Sequence, residues 1–417
     1  MKKIAFLRSV DIQRADPYIQ QAVTELTAER IACGLFFTHG DAFDADFPGE
    51  RIRIAPDITA RDLADRVTAW GADAVVSISL PCENAVRDAA VKQILDRAGI
   101  PTIMTPLAAT LLLTDKWETK QLLLRHGLDV PAGFRADSDL LAGRGLPVPG
   151  YPDALRLQAD STGYPLLSKP IWDSTSMGIR ALAGPADLDA YLADPPPVSA
   201  VIEQAVTGDL CSVDIVGAPG TYRVGPLVWT GRAGAKPVFT FADLRWCGPR
   251  PREDAEFRSV AERLTAVCTA LEVTGSVNVD MIYTDGSYKI LEFNPRIGGA
   301  TTLTCAASRT NTFRALARMA LGAPAAVPDA AQGRRWAVEF LTPQGIPDAV
   351  RDEFAAALDL VTCHALVIDG HDHGHITVFT AEEGSEEDTV QTIKNLHETT
   401  GYPNPDTVDK IRALLTP

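Results

Sequence analysis

Two alternating runs on either side of Asp285-Gly286 constrain this chain more than any other segment. They read Ser276-Val277-Asn278-Val279-Asp280-Met281-Ile282 and Tyr288-Lys289-Ile290-Leu291-Glu292-Phe293-Asn294-Pro295-Arg296. Asp-Gly between alternating runs is a strong hairpin signal. Side chains two apart on a strand share a face, so Glu292, Asn294 and Arg296 point one way while Leu291 and Phe293 point into a core. Whether Asp280 joins the polar face depends on the turn, because a one-residue change of register sends it to the other side. A three-residue loop from Thr284 to Gly286, with Gly286 left-handed, pairs Asn278 with Glu292 and Ile282 with Tyr288, which puts Asp280 on the Glu292 face. A two-residue loop puts it on the wrong side, so the three-residue loop is expected.

Asp280, Glu292 and Asn294 form a set of hard oxygen ligands that suits magnesium held by a few protein oxygens and nucleotide phosphates. Zinc is disfavoured because no His or Cys stands nearby. An exposed strand whose polar face merely meets water gives the same pattern, so the surrounding sequence must decide.

Upstream, Lys169 ends an apolar run and is followed by Pro170-Ile171-Trp172-Asp173-Ser174-Thr175-Ser176-Met177-Gly178. A small hydroxyl-rich loop of this kind can fold its N–H groups over phosphate oxygens, with Gly178 permitting an unusual dihedral and Lys169 supplying charge. Thr114 or Asp115 can cap a helix that starts near Lys116 and stops at Gly127. Val201-Ile202-Glu203-Gln204 is a strand leading into Thr207-Gly208-Asp209, which fits an interdomain hinge with backbone groups for an adenine edge and fits any strand–turn–strand equally well.

Taken in order, the capped helix with Lys116, the strand with Lys169 and its loop, the Glu203-Gln204 segment and Asp280 followed by Glu292-x-Asn294-Pro295-Arg296 resemble the ATP-grasp superfamily, over roughly residues 1 to 325. The Glu292–Arg296 motif is the most specific part. The lid resembles that of D-alanine–D-alanine ligases, whereas Asn-Pro-Arg-Ile-Gly-Gly is nearer carbamoyl-phosphate-synthetase-like members, and an L-amino acid ligase type is expected. The resemblance implies that Lys116 and Lys169 touch ATP phosphates, that Ser174 and Ser176 belong to the lid, and that Glu203 and Gln204 lie at the adenine. It implies Asp280, Glu292 and Asn294 as magnesium ligands, with manganese able to substitute, and Arg296 facing the transferring phosphate. Arg296 and Lys169 are the catalytic candidates. The acidic ribose-binding position of many members is Leu210 here, which leaves Asp209 one position earlier as a substitute. Arg232 and Lys236 are candidates for a further phosphate or substrate contact, weighed against a solvated loop.

The implied fold is α/β and α+β multidomain: an N-terminal parallel α/β domain at 1–112, an ATP-grasp domain at 113–325, and a separate C-terminal α/β subdomain at 326–417. Within the ATP-grasp part, about 130–205 is the lid and 206–325 carries the metal. A chain of 417 residues has the length for several packed lobes. The first loop, Arg8-Ser9-Val10-Asp11, lacks the glycines of a dinucleotide site. A formal net charge of −15 disfavours nonspecific nucleic-acid or anionic-membrane binding. Apolar runs such as Ala108–Leu113 are too short to span a bilayer. Seven cysteines without a CxxC pair, in a chain lacking a signal-peptide pattern, argue for a reducing, cytoplasmic setting.

The expected function is a carboxylate–amine ligase that joins small molecules, amino acids foremost, through an acyl phosphate, with a homodimer as a family-level expectation. Activation of bicarbonate is the second enzyme reading, and a noncatalytic nucleotide-binding protein is the alternative from another class. His371, His373 and His375 alternate and would share a face if extended; a metal site is conceivable, and a solvent-exposed hairpin tip fits better. Trp172, Trp229 and Trp246 are read as core or wall residues.

Overall fold

The computed structural model describes residues 1–9, 16–43, 45–80, 82–173, 178–233, 244–323, 335–368 and 371–416. The first unit runs β1 (Lys3–Arg8), α1 (Pro17–Ala28), β2 (Ala32–Phe37), β3 (Glu50–Arg53), α2 (Ala60–Trp70), β4 (Ala74–Ser77), α3 (Cys82–Arg97) and β5 (Thr102–Ile103). Its five strands form a parallel sheet in the order β3-β2-β1-β4-β5. Continuous apolar runs in β1 and β2 follow from burial on both faces. Ala5 and Leu7 pack toward α2 and α3, while Ile4 and Phe6 pack toward α1. Helix α1, absent from the sequence reading, is capped by Asp16, whose side chain accepts from the Tyr18 amide.

Helices α4 (Leu107–Thr114) and α5 (Lys116–Arg125) lead into the part expected to be the lid, built from β6 (Gly133–Ala136), α6 (Ser138–Leu141), α7 (Tyr151–Thr162), β7 (Leu166–Pro170), β8 (Arg180–Leu182), α8 (Pro185–Ala193) and β9 (Ala200–Gln204). Its four strands form an antiparallel sheet, β6-β9-β7-β8, with one face on α7 and α8.

The lobe expected to carry the metal follows: β10 (Gly208–Gly217), β11 (Arg223–Val224), β12 (Val228–Ala233), β13 (Arg245–Cys247), α9 (Pro251–Ala270), β14 (Gly275–Thr284), β15 (Ser287–Asn294), α10 (Thr301–Ser308) and α11 (Thr312–Ala320). Phe313, Leu316 and Ala317 of α11 are buried in the same cluster as Ile4 and Phe6, and Arg314 and Arg318 pair with Glu25 and Glu29 on α1. The first unit therefore has one of its covering helices supplied by residues three hundred positions away.

The final stretch comprises β16 (Trp336–Thr342), α12 (Asp348–Ala357), β17 (Asp359–Ile368), β18 (His371–Ala381), α13 (Glu386–Thr400) and α14 (Pro405–Leu415). Its strands do not form a sheet of their own. They extend the sheet of the preceding lobe in the order β15-β14-β10-β12-β13-β16-β18-β17, with β11 beside β10. The seam is the β13–β16 pair, where Arg245 lies opposite Glu339 and bonds it at 2.5 Å. Trp229, Trp246 and Trp336 pack across that seam at 5.9 and 5.5 Å, so Trp229 and Trp246 are wall residues as expected, whereas Trp172 is 50% exposed and is not. No helix among the described residues is long and apolar enough to cross a membrane.

A candidate nucleotide and metal site

The hairpin turn differs from the expectation. Asp285 and Gly286 have φ of +49° and +77° and form a two-residue loop, with Thr284 opposite Ser287. Two consecutive left-handed residues match the strand twist, which is why Asp-Gly favours this turn. Asn278 consequently pairs with Asn294 rather than Glu292, and Ile282 with Lys289 rather than Tyr288. A β-bulge repairs the parity: Met281 opposes Ile290, then Asp280 opposes Glu292, leaving Leu291 as the extra residue. Leu291 is only half-buried, and Ile290 fills the core with Phe293 in its place. Asp280, Glu292, Asn278 and Asn294 therefore share a face through a bulge that no sequence pattern announced.

On that face the Asn294 amide donates to Asp280 Oδ2 at 3.0 Å. Burial and the neighbouring Glu292 charge push the Asp280 carboxyl up to about 7, against the pull of Arg296 and the Asn294 bond. Two carboxylates crowded this way call for a cation between them. Among the described residues no group of three or more His, Cys, Asp or Glu side chains is arranged to hold a metal. The donor set is two carboxylates and one amide, which fits magnesium completing its shell with water and phosphate. Arg296 donates Nη1–H to the Ile297 carbonyl at 2.9 Å, while its buried Nε–H has no acceptor. An unsatisfied guanidinium donor is costly unless an oxyanion meets it.

The lysines approach from the lid side. Asp115 caps α5 by accepting from the Trp117 and Glu118 amides, which fixes Lys116 at the helix start. Lys116 Nζ lies 3.3 Å from Glu292 Oε1 and donates to the Asp173 carbonyl at 2.6 Å, touching both the metal face and the start of the lid loop. Lys169 and Lys120 each lie 2.7 Å from the Glu203 carboxylate. Burial penalises the Lys169 charge, but Glu203 and Glu292 outweigh it and its pKa rises; burial likewise opposes the Glu203 charge, and the two lysines pull its pKa below the usual range. The Glu203 side chain is thus spent on lysines, leaving backbone groups to define the hinge. The Gln204 side chain is exposed, and its backbone N–H donates to the Ala132 carbonyl at 2.8 Å.

Asp209 stands apart. It lies opposite Tyr283 and Arg232, on the alternate face from Asp280, and pairs with Arg232 at 3.3 Å and Arg250 at 3.8 Å. Arg232 is 83% exposed on its side chain, which fits the solvated alternative. Ser174, Ser176 and Lys236 lie outside the described residues.

Two parts of the site escaped sequence reasoning. Lys120 sits one helical turn beyond Lys116, a spacing that signals a shared face. Asp214 is buried beneath the metal face, accepting from Asn278 Nδ2 at 2.9 Å and Thr301 Oγ1 at 2.7 Å. A Cβ on Gly298 would come within 2.5 Å of Asn278 Nδ2 and 2.7 Å of Asp214 Oδ1, so only glycine lets the loop after Arg296 lie on this network. Asp214 belongs to no recognisable short pattern, whereas Gly298 stands in the Asn-Pro-Arg-Ile-Gly-Gly run without a role being assigned to it there. His371, His373 and His375 occupy alternate positions of β18 in a hairpin with β17; the first two are exposed and His375 accepts from the Ile346 amide at 3.3 Å.

Residues 113–300 match the ATP-grasp domain family. The chain is 33% identical over 144 residues to D-alanine–D-alanine ligase from Bordetella pertussis, a stretch covering 34% of this chain and 41% of that relative. The chain thus spans under half the length of the curated relatives it matches here. In fold it is similar to L-amino acid ligase from Bacillus licheniformis, with TM-score 0.68, 13% identity and 95% and 97% of the two chains covered. It is also similar to N5-carboxyaminoimidazole ribonucleotide synthetase from Thermotoga maritima, with TM-score 0.66, 16% identity and 94% and 96% covered.

Proposed function

We propose that this chain, whose residues 113–300 match the ATP-grasp domain family and whose fold is similar to that of an L-amino acid ligase, is an ADP-forming carboxylate–amine ligase acting on small molecules, amino acids foremost. The observation that carries the reading is the convergence of Asp280, Glu292, Asn294 and the unpartnered Arg296 Nε–H with Lys116 and Lys169. A carboxylate resists nucleophiles because of its own charge, and phosphorylation removes that obstacle. Phosphoryl transfer needs positioning and charge neutralisation rather than a protein nucleophile. Lys116 and Lys169 supply positive charge to the phosphates, and Arg296 meets the oxygen on which charge develops. Asp280, Glu292 and Asn294 would hold magnesium, which would neutralise phosphate charge. Lys120 acts through Glu203, keeping Lys169 in place.

The B. licheniformis and B. pertussis similarities support the ligase reading, and the T. maritima similarity keeps activation of bicarbonate as the second one. The test is ADP release with Mg-ATP and a pooled amino-acid panel, followed by mass spectrometry of products. We expect release that depends on one acid and one amine, yields an amide and falls at least 100-fold in Glu292→Gln. Release driven by bicarbonate alone would select the second reading, and ATP binding without turnover on any acid would reject both.

A further inference from the structure

Three buried side chains on the lid side of the site carry charge in odd number. Lys120 of α5, Lys169 of β7 and Glu203 of β9 are 6%, 8% and 3% exposed. Lys169 Nζ lies 2.7 Å from Glu203 Oε1 and Lys120 Nζ lies 2.7 Å from Oε2, so each carboxylate oxygen has its own ammonium. Lys120 also donates to the Pro131 carbonyl at 2.5 Å, just before β6. Two cations on one anion leave the cluster with one positive charge that nothing inside it offsets. Beyond the cluster, Glu292 and Asp280 act on Lys169 from the face that would hold the metal. Asp129 acts on Lys120 but is itself paired with Lys289 at 2.7 Å.

Placement alone does not explain the third charge. Burying an ammonium is costly even when it is paired. A neutral side chain with two N–H donors at position 120 would hold Glu203 Oε2 and the Pro131 carbonyl without that cost. Without a cation at 120, however, Glu203 and Lys169 form a closed pair of net charge zero. A phosphate would then find at Lys169 an ammonium whose charge is already cancelled at 2.7 Å. With Lys120 in place, the same carboxylate is divided between two ammonium groups. Burial lowers the Lys120 pKa, and repulsion from Lys169 adds to this against the pull of Glu203, as expected where cations outnumber the anion they share.

We propose that Lys120 is a positioning residue whose charge, and not only its place, serves the nucleotide: it draws off half of Glu203, so that Lys169 meets the phosphates with its own charge uncancelled. This rests on the nucleotide-binding part of the reading above and deepens it. Helix α5 then serves the phosphates twice, directly through Lys116 at its start and at one remove through Lys120 one turn later. The account has a consequence that placement lacks. If Glu203 is harmful to phosphate binding whenever Lys120 is neutral, then removing the Glu203 charge as well must repair the damage.

The test is calorimetric titration with ADP and displacement titration with adenosine, both without metal, on variants whose folding is checked by thermal melts. Lys120→Gln keeps N–H donors and removes the charge; it should weaken ADP at least tenfold and leave adenosine, which brings no phosphate, within twofold. Lys120→Arg should hold ADP within threefold of the natural chain. In the double variant Lys120→Gln with Glu203→Gln, Lys169 is again a cation without a cancelling carboxylate, and ADP affinity should return to within threefold. A cluster that only holds Lys169 in place gives the reverse, a double variant at least as weak as Lys120→Gln. That result, or equal losses of ADP and adenosine in Lys120→Gln, would overturn the inference while leaving the nucleotide reading intact. Should Lys120→Gln fail to fold, Lys120→Met, alone and with Glu203→Gln, is held to the same outcomes. A natural chain that binds no ADP would overturn both.

Discussion

At the scale of single residues, the site is organised by charges that are incomplete in pairs and complete in groups. Lys169 and Lys120 share Glu203, while Asp280 and Glu292 crowd each other and both act on Lys169. The consequence is pH dependence with a definite sign. Burial and the Glu292 charge push the Asp280 carboxyl from its ordinary 3.8 up to about 7 in the folded protein, so between those values the native state holds a proton that the unfolded state has lost. Stability from that proton is present below about pH 4 and is lost as pH rises through about 7. Magnesium requires the ionised form, so binding expels the proton, and affinity should tighten about tenfold between pH 6 and pH 8. Calorimetric titration of Mg-ADP at the two pH values, in buffers of different ionisation enthalpy, checks both the trend and the proton release. Equal affinity without proton release would mean that Asp280 is already ionised.

Among elements, the β14–β15 hairpin shows what was legible and what was not. Alternation identified both strands and the Asp-Gly turn, and named Asp280, Glu292 and Asn294 as one face. It misplaced the register because a bulge changes parity without leaving a composition signal, and Leu291 looks like any other strand leucine. The cap of α5 was readable at Thr114 or Asp115 because N-caps have a local chemistry, and Asp115 proved to be the residue. The Asp214 network was unreadable because Asp214, Gly298 and Thr301 meet only through tertiary folding. The bulge leads to a counterintuitive prediction. Without Leu291, Ile290 and Glu292 become neighbours and ordinary alternation already sends them to opposite faces. Deleting Leu291 should therefore preserve Mg-ATP binding within about tenfold, at a cost in stability of about 1–2 kcal/mol from lost side-chain burial. Thermal melts with and without Mg-ATP measure both. A folded deletion variant that no longer binds nucleotide would show that the bulge's local twist, and not parity alone, aims Glu292.

Across the whole molecule, one sheet joins the metal face to the C-terminal stretch. Removing residues 326–417 would leave β13 as an unpaired edge, strip Trp336 from Trp246 and take Glu339 from the half-buried Arg245. An exposed edge beside uncovered aromatic surface promotes association. We expect a 1–325 fragment to elute as aggregate in gel filtration and to lack the near-ultraviolet signal of the tryptophan stack; a monomeric, ordered fragment would show that the sheet is stable without its extension. The first unit is bound just as firmly, since α11 completes its packing.

These seams determine how the molecule could be recombined. A chimera that exchanges the C-terminal ninety residues for those of a relative would cut through a hydrogen-bonded ladder and a tryptophan stack. The lid strands, by contrast, form a sheet of their own, and the chain enters the next sheet through residues 205–207 between β9 and β10. The exchangeable module is therefore the lid, while any change of substrate drawn from the C-terminal stretch must arrive by point substitution along β17 and β18 within the existing ladder.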